Sequence, residues 1–350
     1  VASADQCPAG LENVYLCGTV EEVWPLRSRF RPLGCFVDRS TDCCAELPNC
    51  QVLPQLAEGL ALAWEPLLAA VCSRHVTTIQ DMILRNARRW PDKLALIYED
   101  TEWTYQQMCS AACSLRDRLL EEGLCPSRGP VAVRIDASDY SAICFLALMS
   151  GRFTVHLLDR GASGQRYRLQ TCPSQAIVTK HGQDLAVTED LRVFNLDEMQ
   201  LDWSQPVSSL QMDGDLNDVA FIEYTSGSTG NPKSVATLQW RIAHWARWHL
   251  FHFPPQGARD AYNLFWIWYW QIPLTTGSTC VVWPNWQSQD VSQLMQYFRR
   301  HRVTRCNCLT PGQLSALLSV EDILPNDLQE VFVGGEALPL STCRSWLQKW

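Results

Sequence analysis

From Thr77 onward, short apolar runs of strand length alternate with amphipathic stretches of ten or more residues, a pattern that restricts the chain to an α/β fold. Ile79, Met82, Ile83, Ala87 and Trp90 fall on one helical face, and Pro91 ends that helix before the strand-like run Leu94 to Tyr98. Thr104, followed three residues later by Gln107, makes a capping box, and Met108, Ala112, Leu115 and Leu119 form a stripe that stops at Gly123. The pattern then predicts strands over Val131 to Ile135, Phe153 to Leu158 and Ala176 to Val178, with helices over Tyr140 to Ser150 and Gln165 to Cys172. The polar stretch from Asp202 to Asn217 precedes a second set of elements, and a subdomain break is expected there. Residues 1–76 differ in texture: Pro8, Pro25, Pro32, Pro48 and Pro54 interrupt short apolar runs, leaving an unassigned lead-in.

Composition narrows the classes of function. With 350 residues, 47% of them hydrophobic, the chain can build a large core, either as two or three domains or as one large enzyme domain. The acidic residues outnumber the basic ones, 37 to 29, so no general positive field attracts nucleic acid. The longest apolar runs, Ile143 to Met149 and Leu264 to Leu274, fall short of the roughly 18 residues of a membrane span and read as core. The 16 cysteines are too few for a disulfide scaffold and lack zinc-site spacing, which fits a reduced, cytoplasmic protein. Cys306 and Cys308 read as two thiols on a strand, and Arg299 to Arg302 as a positively charged helix end.

The informative segment is the strand Val219 to Tyr224, followed by Thr225-Ser226-Gly227-Ser228-Thr229-Gly230-Asn231-Pro232-Lys233-Ser234 and then a Trp-rich helix from Gln239 to Leu250. Strand, flexible loop and helix in that order place N–H groups and hydroxyls where phosphate oxygens bind, and Lys233 adds a mobile positive charge. A Walker-type loop counted from Gly227 puts Pro232, which has no N–H to donate, where the second glycine belongs.

Tyr224 to Lys233, as it stands, resembles the phosphate loop of the adenylate-forming superfamily, most closely that of nonribosomal peptide synthetase adenylation domains. Ser234 stands where that family continues with Gly. Further segments resemble the family in the expected order: Trp103 to Met108, Ala147 to Gly151 running on to Leu157, and Val331 to Pro339. The resemblance covers about Thr77 to Trp350. It implies the large N-terminal region of an adenylate-forming enzyme, built of stacked α/β subdomains and lacking the mobile C-terminal domain that carries the main catalytic lysine. With no initial Met and an end at Trp350, the sequence is expected to be a fragment: a lead-in over 1–76 and the N-terminal part of an adenylation domain over 77–350.

The resemblance implies ATP and Mg²⁺ as cofactors, with Thr225, Ser226, Gly227, Ser228, Thr229, Gly230, Lys233, Gly335 and Glu336 holding the nucleotide and Lys233 contacting phosphate. It implies a carboxylic-acid substrate against Leu264, Phe265, Trp268, Thr310, Phe332 and Gly334, and as thiol acceptor a phosphopantetheine carrier domain or CoA. No resident metal site in the protein, no nucleic acid and no membrane are expected. In amino-acid-activating members an aspartate pairs with the substrate ammonium, and anchoring on Pro273 and Gly277 puts Leu264 at its place. An ammonium buried without a partner costs roughly 3–5 kcal/mol, so an ordinary α-amino acid is disfavoured. Eight Trp lie between Trp240 and Trp286, and Trp266, Trp268 and Trp270 alternate as along a strand, either as the wall of a pocket for an aryl or apolar acid or as core. His244, His249 and His252 lack a nearby acidic or Cys partner and read as packed or exposed rather than as metal ligands. Three functions remain open: acid activation in a nonribosomal-peptide-synthetase-like protein, an acyl- or aryl-CoA ligase, and a non-catalytic nucleotide-binding remnant.

Overall fold

The computed structural model describes residues 15–18, 34–37, 77–158, 160–180, 185, 191–225, 232–252, 258–263, 269–285, 290–320 and 324–349. The chain divides into two compact units, Val1–Leu68 and Ala69–Trp350. In the first unit β1 (Tyr15–Gly18) and β2 (Gly34–Val37) pair in parallel, Tyr15 opposite Gly34.

The second unit opens with α1 (Ile79–Arg89), capped by the Thr78 hydroxyl and burying Ile79, Met82, Ile83 and Ala87 as their spacing predicts. A hairpin of β3 (Leu94–Tyr98) and β4 (Thr101–Thr104) leads into α2 (Tyr105–Glu121). The predicted capping box is formed: the Gln107 N–H donates to Thr104 Oγ1 at 3.2 Å, and the Thr104 N–H to Gln107 Oε1 at 2.9 Å. Then come β5 (Val131–Arg134), α3 (Asp139–Ser150), β6 (Val155–Leu157), α4 (Ala162–Thr171), β7 (Ala176–Thr179) and β8 (Arg192–Asn195). Next are β9 (Val219–Thr225), β10 (Lys233–Leu238), α5 (Gln239–His252), β11 (Arg259–Tyr262), α6 (Gln271–Thr276) and β12 (Thr279–Val282). The described chain ends with α7 (Val291–Arg300), β13 (Arg305–Leu309), α8 (Pro311–Leu318), β14 (Glu330–Val333) and α9 (Leu340–Lys349).

These strands form two six-stranded sheets, with orders β10-β9-β6-β5-β7-β8 and β14-β13-β11-β12-β3-β4. Within each, every pairing is parallel except the edge hairpin, β9 with β10 in the first and β3 with β4 in the second. The chain thus starts the second sheet, builds the first, and returns to finish the second. The polar stretch Asp202–Asn217 joins β8 to β9 of the first sheet and buries Val207, Leu210 and Met212 in the main core. In chain order it thus links two strands of one sheet, and its scattered apolar residues join a core to which both sheets contribute.

The main core contains residues of both sheets, among them Val131, Val155 and Ala176 of the first and Leu96, Tyr262 and Val282 of the second. Strand alternation sends Ile97, Ala261 and Val281 to the other face of the second sheet, where they pack with Leu294 and Phe298 of α7. α3 is buried nearly all round, which explains its lack of a polar stripe. Among the described residues, no helix is long and apolar enough to cross a membrane.

Candidate functional site

Parallel α/β sheets present ligand sites beyond the carboxyl ends of their strands. In the first sheet that end is the mouth of the β9–β10 hairpin, where Thr225 and Lys233 face each other as the last ladder pair. Lys233 is exposed and has no ion pair among the described residues. Ser226, Gly227, Ser228, Thr229 and Gly230 lie outside the described residues; Ser234 is exposed on β10 opposite Tyr224.

The stem of this hairpin is clamped from α4 and β6. The Tyr167 hydroxyl donates to the Pro232 carbonyl at 2.9 Å. The Tyr224 hydroxyl donates to the Arg168 carbonyl at 3.2 Å and lies 3.1 Å from both Thr171 Oγ1 and His156 Nε2. The Arg168 guanidinium covers the Tyr224 ring at 4.7 Å. His156 Nδ1 meets Ser174 Oγ at 2.8 Å; burial, with Arg168 nearby, lowers its pKa to about 4, so the imidazole is neutral at pH 7. His156, Tyr167, Arg168 and Thr171 carry no local motif signal, since they meet the hairpin only through tertiary contact.

The corresponding end of the second sheet gathers Asn263, Thr310 and Gly334 beyond the neighbouring strands β11, β13 and β14. The Asn263 amide donates to the Trp283 carbonyl and, at 3.1 Å, to Asn285 Oδ1, tying the end of β11 to that of β12. The Thr310 hydroxyl accepts the Gln313 N–H at 3.2 Å, so it is engaged in the capping box of α8. The Gly334 N–H donates to the Leu309 carbonyl at 3.0 Å, Gly335 turns the chain at φ +90°, and Glu336 is exposed. Phe332 is half-buried, with its ring centroid 5.8 Å from that of His249 on α5, so the helix that follows the hairpin reaches this sheet. Leu264, Phe265 and Trp268 lie outside the described residues.

The expected strand through Trp266, Trp268 and Trp270 is corrected at its described end. Trp270 has helical φ and ψ of −55° and −34°, and its fully buried ring stands 6.1 Å from Phe145. Its period-two spacing from Trp268 yields there to the helical turn entering α6.

A cavity of about 460 Å³ opens on α5, lined by Arg241, His244, Trp245, Trp248 and Tyr269. The four α5 residues are spaced i, i+3, i+4 and i+7, which puts them on one helix face. Trp245 and Trp248 stack at 5.2 Å and 10°, Tyr269 meets Trp245 edge-on at 6.3 Å, and Tyr262 lies against Tyr269. The sequence counts Trp245 and Trp248 among eight Trp that form either a pocket wall or core and leaves His244 packed or exposed; Arg241 and Tyr269 carry no signal of a cavity in it. His249 is buried, whereas His244 is exposed at the cavity; the His252 side chain lies outside the described residues. Among the described residues no cluster of three His, Cys, Asp or Glu could hold a metal ion.

Asp260, two residues before the end of β11, is fully buried beside Arg305 at 3.5 Å, and Arg305 also pairs with Glu330. Burial pushes the Asp260 carboxyl up to about 7 against the pull of Arg305.

The comparisons with known proteins agree with this architecture. The profile of the AMP-binding enzyme family matches residues 83–350. Tyrocidine synthase 3 of Brevibacillus parabrevis is 25% identical over 273 residues, which are 75% of this chain and 4% of that protein. Enterobactin synthase component F of Escherichia coli O157:H7 is 27% identical over 287 residues, 78% of this chain and 22% of that protein. The solved structure of o-succinylbenzoate CoA synthetase from Bacillus subtilis superposes with a TM-score of 0.68 at 19% identity, covering 77% of this chain and 56% of that one. The chain thus spans under a quarter of either curated relative, while the family profile covers its whole second half and more: it belongs to the AMP-binding enzyme family.

Proposed function

We propose that this chain forms the nucleotide- and acid-binding part of an enzyme that activates a carboxylic acid as its acyl-adenylate. The observation that carries the reading is the continuity of β9, β10 and α5: one segment presents an exposed Lys233 at the hairpin mouth and then lines an aromatic cavity. ATP binds at the loop from Thr225 to Lys233, with Gly335 and Glu336 on the nucleotide's other side. A carboxylate oxygen of the acid forms a bond to the α-phosphorus, the bond to the β-phosphate bridge breaks, and pyrophosphate leaves. Lys233 neutralises phosphate charge and holds the chain in line, so this chain's contribution is positioning and electrostatics. The exposed Lys233 at the end of a hydroxyl-rich sequence, with Glu336 as an exposed carboxylate, fits a nucleotide that brings its own Mg²⁺, which would need only one or two protein carboxylates. Bound there, the ion neutralises phosphate charge.

The acid lies near Leu264, Phe265, Trp268, Thr310, Phe332 and Gly334, with Trp245, Trp248 and Tyr269 added to its wall. It is not an ordinary α-amino acid: Leu264 supplies no charge, and the nearby Asp260 is sealed in a pair with Arg305. This favours an aryl or apolar acid and makes a CoA ligase, like the o-succinylbenzoate relative, the second reading beside transfer to a carrier phosphopantetheine. The domain assignment, 1–76 as lead-in and 77–350 as adenylation region, and a cytoplasmic setting belong to the same proposal.

Isothermal titration with ATP tests the reading. Lys233→Ala should weaken binding at least about tenfold, the loss of one charge-assisted phosphate contact. Equal affinity in the variant refutes the loop assignment. In the whole protein, acid-dependent exchange of pyrophosphate into ATP is the direct assay, and no exchange across a broad acid panel despite ATP binding leaves the nucleotide-binding remnant.

A further inference from the structure

The cavity on α5 has a charged end that acid activation alone does not use. The first turn of α5 is tied to the start of β9: the Gln239 N–H donates to the Asp218 carbonyl and the Trp240 N–H to the Leu216 carbonyl, both at 2.9 Å. The six steps along β9 from Val219 to Thr225 put this end of α5 about 20 Å from the phosphate-side mouth. Eight residues past Arg241 along α5, roughly 12 Å by helical rise, His249 stands beside Phe332 at the site end of the second sheet. Arg241 and His244 therefore line the part of the cavity farthest from the phosphates, and Trp248 the nearer part.

Neither Arg241 nor His244 has an ion pair or hydrogen bond among the described residues. The same wall thus offers a guanidinium and an imidazole beside stacked aromatic faces. An alkyl monoacid would lay its tail on these donors and strip them of water with nothing in return. The carboxylate that meets ATP cannot itself reach Arg241 from the hairpin mouth.

We infer that the acid taken at this site carries an aromatic ring and, at the end remote from its reacting carboxylate, a second anionic group held by Arg241 and His244. The ring packs against the exposed Trp248, itself stacked on Trp245, with Tyr269 on the same wall, and a cavity of about 460 Å³ suits a ligand of that size. The inference rests on the adenylation reading only for which carboxylate reacts.

The test compares naphthalene-2,6-dicarboxylate with 2-naphthoate, which differ by that second anionic group. Each is titrated into the 350-residue chain at low ionic strength, following Trp fluorescence, with ATP affinity measured on the same sample. Arg241 is exposed, so the dicarboxylate should bind about fivefold more tightly, and the advantage should shrink at high salt. Arg241→Gln should bring the two acids to equal affinity, and Arg241→Lys should keep part of the preference. Equal affinities in the parent chain, a preference that survives Arg241→Gln, or no binding of either acid while ATP binds, overturns the inference. An Arg241-dependent preference without ATP binding upholds the inference and removes the adenylation reading.

Discussion

In the first sheet the central strands β5 and β7 are buried along their whole length, and the buried titratable group beside the hairpin, His156, is kept as a neutral base. In the second sheet β11 and β13 carry Asp260 and Arg305 into the interior, together with Asn307, whose amide atoms are fully buried without partners among the described residues. Both sheets share the parallel topology, yet the proposed site of one lies on an edge hairpin and that of the other on the ends of three neighbouring parallel strands, β11, β13 and β14. An edge hairpin can present a loop to a polyanion in water. Neighbouring strand ends give walls, and walls suit a substrate held on several sides. The proposed split between a charged, open nucleotide side and a walled acid side would follow from where each segment sits in its sheet.

The strongest way to break this comparison is to ask whether the two sheets stand or fall together. Trp270 enters α6 on the second-sheet side and packs against Phe145 of α3, which belongs to the first. Trp270→Ala should cost about 3–5 kcal/mol, the usual result of emptying a buried aromatic site. Because the main core draws on both sheets, calorimetry of the variant should show both melting together at a lower temperature. Two separated transitions would show instead that each sheet has a core of its own.

A pH series sharpens the contrast, because the two buried groups have opposite signs. Between its unfolded value near 4 and about 7, native Asp260 holds a proton that the unfolded chain has released. Its contribution to stability is therefore largest at low pH and declines as pH rises to about 7. For His156, between about 4 and 6.5, the unfolded chain holds a proton that the native state does not. Its contribution is present above 6.5 and is lost as pH falls through that window. Urea unfolding at pH 4.5 and pH 7 should show Asp260→Asn gaining stability with pH relative to the parent and His156→Gln losing it. Each difference should be on the order of 2 kcal/mol. Two variants with slopes of the same sign would refute the assignment.

Legibility in the sequence follows the range of the interactions. The α/β texture, the stripe of α1 and the capping box at Thr104 were readable because periods and caps are settled within a few residues. The edge strand β8 was not, since Arg192 and Val193 are exposed and carry no apolar run. The loop from Thr225 to Lys233 declared itself by composition, but its clamp joins residues 53 to 68 positions apart in the chain. The cavity was hidden for a different reason. Trp245 and Trp248 have the spacing of core residues on α5, and only the fold shows that their face opens on a cavity.

The smallest expected effect separates support from recognition within a single type of motif. Thr104 and Thr310 begin α2 and α8 with the same Thr-x-x-Gln box, and either change to Ala should cost about 1 kcal/mol of stability. Thr104 stands in the β3–β4 hairpin on the far edge of the second sheet, whereas Thr310 follows β13 beside Gly334. If Thr310 also borders the acid, Thr310→Ala should shift acid affinity severalfold, Thr310→Ser should restore the cap, and Thr104→Ala should change stability alone. Equal stability losses with no change in acid binding from either variant would reduce Thr310 to a helix cap. The proposed acid site would then rest on Phe332 and the aromatic wall of α5.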